Sequence, residues 1–349
     1  MNNETEAIYS STGKLGVSRR QYERLYVNGT HYSTNPDEVD RNFRRLTGVA
    51  ERHPDRIGRS IFRGLVNEDV MQHISENGLR SDLEVALPVE EFTGDNSWFI
   101  YVANNKPGRE LIVPREKMVE ATRTPNRETP SPLERIHAIN QQGYTFVRHI
   151  PEDQVDQVYA LWGETFGWER QEVDNLRRRL MTADSSPSSQ KDVWFSAIED
   201  NGTIISAAMA ERLSIPSASG TLDLVESTEW RTKDEYAGNG LMAATLGALN
   251  AQILSDLHDN PNGLPLIYAE CNFQSRSDRA GCGAGFRIPE RTNGYAAPQI
   301  LVQNVLVRDG QPVEEGRLRD FTFMYLPVEA IQNYYDPMRV NSITQMIKA

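Results

Sequence analysis

The sequence is poor in cysteine, in histidine and in long apolar runs, and it has no excess of positive charge. Its 349 residues hold two cysteines, Cys271 and Cys282, too few for a disulfide framework, so a reducing cytoplasm is the expected setting. The histidines His31, His53 and His73 are scattered without metal-ligand spacing, and no metal is expected. No apolar run approaches a membrane span, and the polar start Met1-Asn2-Asn3-Glu4-Thr5-Glu6 does not read as a signal peptide, so no membrane partner is expected. A formal net charge of -12 argues against nucleic acid as a partner and is compatible with amine substrates. No internal repeat is apparent.

What is present is the composition of a soluble globular chain, long enough for two domains. Residues 1 to 140 are expected to be a mainly helical N-terminal region. Ser18 to Val27 reads as a short helix. Asn35 caps a clearer one that opens on Pro36, Asp37 and Glu38 and carries the stripe Val39, Phe43, Leu46, Val49. Ile57 to Asn77 reads as further helix, and Trp98 to Val102 and Leu111 to Val113 as short strands. The proline-rich stretch within 124–133 reads as a linker, and the domain boundary is placed near residue 140.

Beyond it the pattern is regular: a strand from Gly143, helices over Val155 to Phe166 and Arg170 to Met181, and strands at Val193 to Glu199, Ile204 to Arg212 and Thr221 to Trp230. The octet Glu235-Tyr236-Ala237-Gly238-Asn239-Gly240-Leu241-Met242 then leads into a helix to about His258, with Met242, Leu246, Leu249, Ile253 and Leu257 on one stripe. The first turn of a helix has backbone N–H groups without internal partners, and with the positive dipole end they favour an anion, phosphate above all. Gly238 and Gly240 have no side chain to hold such an anion away. The same octet also reads as an ordinary Asn-Gly turn. Strands at Pro265 to Cys271, Ile300 to Val307 and Phe321 to Leu326, and a short helix over Ser275 to Ala284, complete the order.

Two local patterns on matching elements resemble the GNAT superfamily of acyl-coenzyme A-dependent N-acyltransferases over about residues 143 to 327. The run Glu235 to Leu241 is similar to the core of its Arg/Gln-x-x-Gly-x-Gly/Ala motif, with Ala237 where Arg or Gln is usual and Met242 where Gly or Ala is usual. About 30 residues on, Asn272 to Arg279 running into Ala284-Gly285-Phe286 resembles the family's Asn-x-x-Ala/Ser through Gly-Phe segment. The resemblance implies a mixed α/β sheet domain over 141–349 that binds acetyl-coenzyme A without a metal. It implies coenzyme contacts from Arg231, Thr232, Ala237, Gly238, Asn239, Gly240, Leu241, Met242, Asn272, Ser275 and Arg279. Arg231, Lys233, Arg276, Arg279, Arg287 and Arg291 cluster in sequence around the two motifs and would supply local positive charge.

Acyl transfer to an amine needs a neutral nitrogen, and a lysine-type amine of pKa about 10.4 is only ~0.1% neutral near pH 7.4, so a general base is expected. The resemblance points to a glutamate eleven residues before Ala237, which is Glu226, with Glu229 as second candidate. On a regular strand the two face opposite sides, so both address one substrate only if a bulge intervenes. Glu226 shares its parity with Leu222 and Leu224, which suggests a buried carboxylate with a raised pKa. The family's general acid is a tyrosine where this chain has Gly281; a thiolate of pKa about 8.5 leaves with little protonation help. The expected function is acetyl transfer to a small-molecule amine. The alternatives are a catalytically degenerate coenzyme-binding sensor and an enzyme acting on protein N-termini or lysines. The N-terminal region would serve as a lid or as the interface of a homodimer.

Overall fold

The computed structural model describes residues 15–18, 24–28, 32–52, 59–76, 83–105, 130–166, 168–187, 190–260, 262–272, 277–289, 305–307, 317–319 and 321–348. The chain forms two compact units. One comprises Met1–Arg115, Ser214–Leu222 and Pro289–Phe323, the other Glu116–Leu213, Asp223–Ile288 and Met324–Ala349. A single cut near residue 140 therefore does not describe the chain.

The first unit opens with β1 (Leu15–Ser18) and β2 (Arg24–Asn28), followed by α1 (Pro36–Arg52), β3 (Arg59–Val66), α2 (Glu68–Glu76), β4 (Leu83–Pro88), α3 (Glu90–Thr93) and β5 (Trp98–Asn105). The strands form a sheet in the order β1-β2-β3-β5-β4. The expected stripe Val39, Phe43 and Leu46 of α1 is buried, in one cluster with Val70, Met71 and Ile74 of α2 and Phe62 and Ile100 of the sheet. The region is thus helix and sheet together rather than mainly helical. Ser18 to Val27, expected as a helix, contributes to two antiparallel strands instead, with Ser18 opposite Arg24. Ile57 to Asn77 is not one helix. Its first half is β3, held against β5 through the whole run Arg59↔Asn105 to Val66↔Trp98. Its second half is α2, and the Asn67 side chain accepts from the Val70 N–H at 3.0 Å where that helix begins. Long-range pairing overrides local helix preference here. Leu111 to Val113 and residues 124–129 lie outside the described residues.

The second unit starts before residue 140. Its first helix, α4 (Pro132–Gln141), is fixed by a capping box between Ser131 and Glu134 and buries Ile136 and Ile139. Then come β6 (Thr145–Val147), α5 (Val155–Phe166), α6 (Arg170–Asp184), β7 (Val193–Asp200), β8 (Thr203–Pro216), β9 (Thr221–Thr232), α7 (Leu241–Asp256), β10 (Leu266–Asn272) and α8 (Ser277–Gly283). After a small ladder of β11 (Val305–Val307) and β12 (Arg317–Arg319) in the first unit's residues, the chain ends with β13 (Phe321–Tyr325), α9 (Val328–Tyr334), α10 (Pro337–Gln345) and β14 (Ile347–Lys348).

The large sheet runs β13-β10-β9-β8-β7-β6-β14, mixed in direction: β9 and β10 are parallel, β6, β7 and β8 antiparallel. Alternate residues of its strands face two cores. Trp194, Ile198 and Ile205 pack with α4 and α7, whereas Val193, Phe195, Ala197 and Ile204 pack with α5 and α6. Helix α7 is buried on every side from Leu241 to Leu254 apart from the partly buried Met242, as its near-continuous apolar sequence requires. This is the expected mixed α/β fold, with the strand–glycine turn–helix unit at its centre.

Candidate active site

The parallel neighbours β9 and β10 pair at Leu266↔Leu224, Ile267↔Val225 and Tyr268↔Glu226, and the ladder ends there, although β9 runs on to Thr232 and β10 to Asn272. Ligands of open α/β sheets bind beyond the carboxyl ends of such strands. Just past the end of the ladder, Glu229 has φ 57, one of two non-glycine residues with a left-handed backbone among those described. A left-handed residue within a strand interrupts the alternation of sides. The irregularity that would let Glu226 and Glu229 act together is therefore present.

The two carboxylates sense each other. Burial pushes the Glu229 pKa up to about 8, the Trp168 indole N–H donates to its carboxylate and opposes this, and the charges of Glu226 and Glu211 add to the rise. Glu229 retains some solvent-accessible surface, but enough protein surrounds its carboxyl to disfavour the anion. Glu226, half-buried, accepts from the Tyr268 hydroxyl at 2.9 Å. A raised pKa is thus found at Glu229, the second candidate, where burial is the main cause.

Beyond β9 the chain makes a single 3-10 turn over Asp234–Tyr236 and reaches the glycine turn. Gly238 and Gly240 have φ 88 and 76, which glycine adopts without steric cost. Gly240 is the N-cap of α7 and no side chain caps the helix. The first N–H bonded into the helix is that of Ala244, to the Gly240 carbonyl at 3.1 Å, so the N–H groups from Gly238 to Ala243 meet no acceptor among the described residues. The Ala237 N–H, expected to join them, is taken by the Asp234 carbonyl at 3.1 Å and is removed from the set. Met242 packs against the core, so its bulk does not narrow the turn.

One cation lies against this turn that sequence reading did not find. Arg135, on α4, holds its guanidinium so close to Gly240 that a Cβ there would lie 2.8 Å from Nη1, and one on Gly283 would lie 3.6 Å from Nη2. Its Nε is buried without an acceptor, and burial alone lowers its pKa, with no carboxylate beside it to compensate. An unpaired guanidinium at the positive end of a helix is unfavourable unless an anion joins them.

Other expected coenzyme residues are engaged elsewhere. Arg231 pairs with Asp234 at 3.1 Å, and the Thr232 hydroxyl shares a hydrogen bond with Ser206 at 2.9 Å. Arg287 donates to the carbonyls of Cys282 and Phe286. Arg279 is exposed on α8. Asn272 ends β10 as expected, with only its backbone described, and Ser275, Arg276 and Arg291 lie outside the described residues. At Gly281 an added Cβ would meet the Met324 sulfur at 3.2 Å and the Trp230 ring at 3.4 Å, so any side chain there would have to displace these neighbours. Both cysteines are free, and burial raises the thiol pKa of each, to about 11 for Cys282, which argues against a thiolate nucleophile. Among the described residues no cluster of His, Cys, Asp and Glu could hold a metal ion, and no helix is long and apolar enough to cross a membrane.

No family model and no curated protein matches the sequence. Solved structures similar to this chain include a GCN5-related N-acetyltransferase from Kribbella flavida, aligned with a TM-score of 0.28 and 14% identity over 41% of this chain and 32% of that one. Arabidopsis thaliana NAA60 in complex with acetyl-CoA aligns with a TM-score of 0.35 and 14% identity, covering 52% of this chain and 97% of that one. A Trypanosoma brucei acetyltransferase gives 0.31 and 15%, covering 43% and 96%. A probable N-acyltransferase of Enterococcus faecalis gives 0.27 and 13%, and the match spans 37% of this chain but only 29% of that protein. Likeness at this level leaves the chemistry to be read from the chain's own side chains.

Proposed function

We propose that this chain is an N-acyltransferase that moves an acetyl group from acetyl-coenzyme A to the primary amine of a small amino compound. The observation that carries this reading is the open run of N–H groups from Gly238 to Ala243 with the unpaired Arg135 guanidinium against it. Main-chain donors and one delocalised cation suit a diphosphate, and the glycines leave room for close approach. When bound, the coenzyme would supply an activated acetyl thioester. Arg135 and the amides of α7 would hold its phosphates, and the C-terminal ends of β9 and β10 would flank the rest.

Glu229 is the proposed general base. A carboxylate of pKa about 8 lies far nearer an alkylammonium, pKa about 10.4, than an ordinary glutamate does, so taking its proton is less uphill. At pH 7.4 about a fifth of Glu229 is ionised by the same value, which leaves the base form populated. The Trp168 indole orients this carboxylate, and Glu226, held by Tyr268, keeps its basicity high and gives the incoming ammonium a second negative group. Localisation in the cytoplasm, from cysteine content, and a homodimer, with the N-terminal region as its interface, are part of the proposal.

The test is thiol release from acetyl-coenzyme A, followed with a panel of amines, amino acids and short peptides. The reading expects turnover with at least one small amine, and loss of that turnover in Glu229→Gln. A coenzyme-binding sensor is the second reading, favoured by Gly281 standing where the tyrosine acid is expected, in a tightly packed position; coenzyme binding without turnover on any acceptor would select it. Turnover confined to peptide N-termini would select a protein substrate.

A further inference from the structure

Glycine weakens the middle of a helix, because it loses the most freedom on folding and adds no contact, so a buried one calls for a packing reason. Helix α7 has such a residue in Gly247, seven positions after the Gly240 cap. Seven residues are nearly two full turns, so the two glycines share one side of α7, about 10 Å apart along its axis. What lies on that side is α4. A Cβ on Gly247 would come 3.1 Å from the Pro132 Cβ and 3.4 Å from the Ile136 Cδ1, and one on Gly240 would come 2.8 Å from the Arg135 Nη1. The bare position at 247 therefore lets α4 settle close onto α7, and the bare position at 240 receives the guanidinium.

Arg135 belongs to the packed segment itself. It stands between Pro132 and Ile136, both buried, one turn after the capped start of α4, and its N–H donates to the Ser131 carbonyl at 3.0 Å. Its backbone cannot shift without the α4–α7 contact shifting too. The side chain has no anchor of its own to correct for such a shift: its Nε meets no acceptor and no carboxylate lies beside it. Hydrogen bonds to a bound anion depend on distance and angle to within a few tenths of an ångström. The depth at which α4 sits on α7 thus decides whether the guanidinium reaches the anion.

We propose that Gly247 is a positioning residue of the coenzyme site, acting through Arg135 by setting how close α4 lies to α7. The inference rests on the coenzyme reading above. The test is a double-mutant cycle of coenzyme A affinity, measured by calorimetry on the full chain, with Gly247→Val and Arg135→Gln singly and together. A role through Arg135 predicts that Gly247→Val weakens binding about fivefold or more in the wild-type background, and by less than about twofold once residue 135 is glutamine. General loss of packing would weaken both backgrounds equally, so equal effects would overturn the proposal. Undiminished binding in a folded Gly247→Val would overturn it as well. Gly247→Ala adds one methyl and regains the helix preference that glycine lacks, so it decides the matter if the valine variant does not fold. For alanine the same cycle should read about two- to threefold with Arg135 present and no change without it, and no change in either background would refute the proposal. Failure of the coenzyme reading is distinguishable, because the wild type itself would then bind no coenzyme A, and the role of Gly247 would go with it.

Discussion

Glu229 is held in a state that costs stability, and the cost has a definite pH signature. In an unfolded chain its carboxyl titrates near 4.5; in the fold it does so at about 8, chiefly because burial disfavours the anion. Below pH 4.5 both states keep the proton and nothing is lost. As pH rises toward 8 the unfolded state gains an ion that the folded state refuses, so folding stability falls, and above 8 the loss is complete. The gap corresponds to about 5 kcal/mol at most, at 1.36 kcal/mol per pH unit. Residual solvent access reduces it, and about 1–3 kcal/mol is the expected net loss. Glutamine is nearly isosteric and does not titrate. Urea unfolding of the wild type and Glu229→Gln at pH 5 and at pH 8.5 should therefore show the variant gaining about 1–3 kcal/mol relative to wild type between the two conditions. Stability curves that run parallel across that interval would show that Glu229 ionises normally, and the assignment of the base would fall with them.

Three further outcomes follow from the same geometry. With an amine substrate, the alkaline-rising limb of kcat/KM should have an apparent pKa near 8, and Glu226→Gln should move that limb to lower pH because the Glu226 charge helps raise it; a limb that stays put would uncouple the two residues. Gly281→Tyr should lower the melting temperature and restore no activity, since its Cβ alone would press on Met324 and Trp230; a stable and faster enzyme would refute the packing account. Asp223, fully buried, accepts from Arg212 at 2.8 and 2.7 Å, so Asp223→Ala should cost about 3–5 kcal/mol in denaturant unfolding by breaking this buried ion pair; a loss under 1 kcal/mol would show that water or another group replaces it.

Local chemistry wrote part of this molecule plainly into its sequence. The period-two strands, the glycine turn and the apolar helix Leu241–Asp256 were each legible because their residues determine their own conformation. The candidate carboxylates were legible by position on β9, but not their pKa order. That order depends on a left-handed glutamate at 229, and glutamate has no intrinsic preference for that conformation. Arg135 carried no local signal. It reaches the turn only because α4, more than a hundred residues earlier in the chain, packs its Pro132 and Ile136 against Gly247 of α7. The sheet of the first unit was missed where β2 and β3 are set by pairing rather than by composition. The last helix had a signal that went unused: Asp336-Pro337 is a strong helix start, and the Asp336 side chain does accept from the N–H groups of Met338 and Arg339.

The central claim is that the head of α7, with Arg135, grips an anionic coenzyme. Titration calorimetry of coenzyme A into the full chain and into Arg135→Gln tests it most directly. Saturable binding weakened by about 10- to 150-fold in the variant is the predicted result, the equivalent of a charged hydrogen bond worth about 1.5–3 kcal/mol. Equal affinity in both proteins, or no heat of binding in the wild type at millimolar coenzyme, would contradict it.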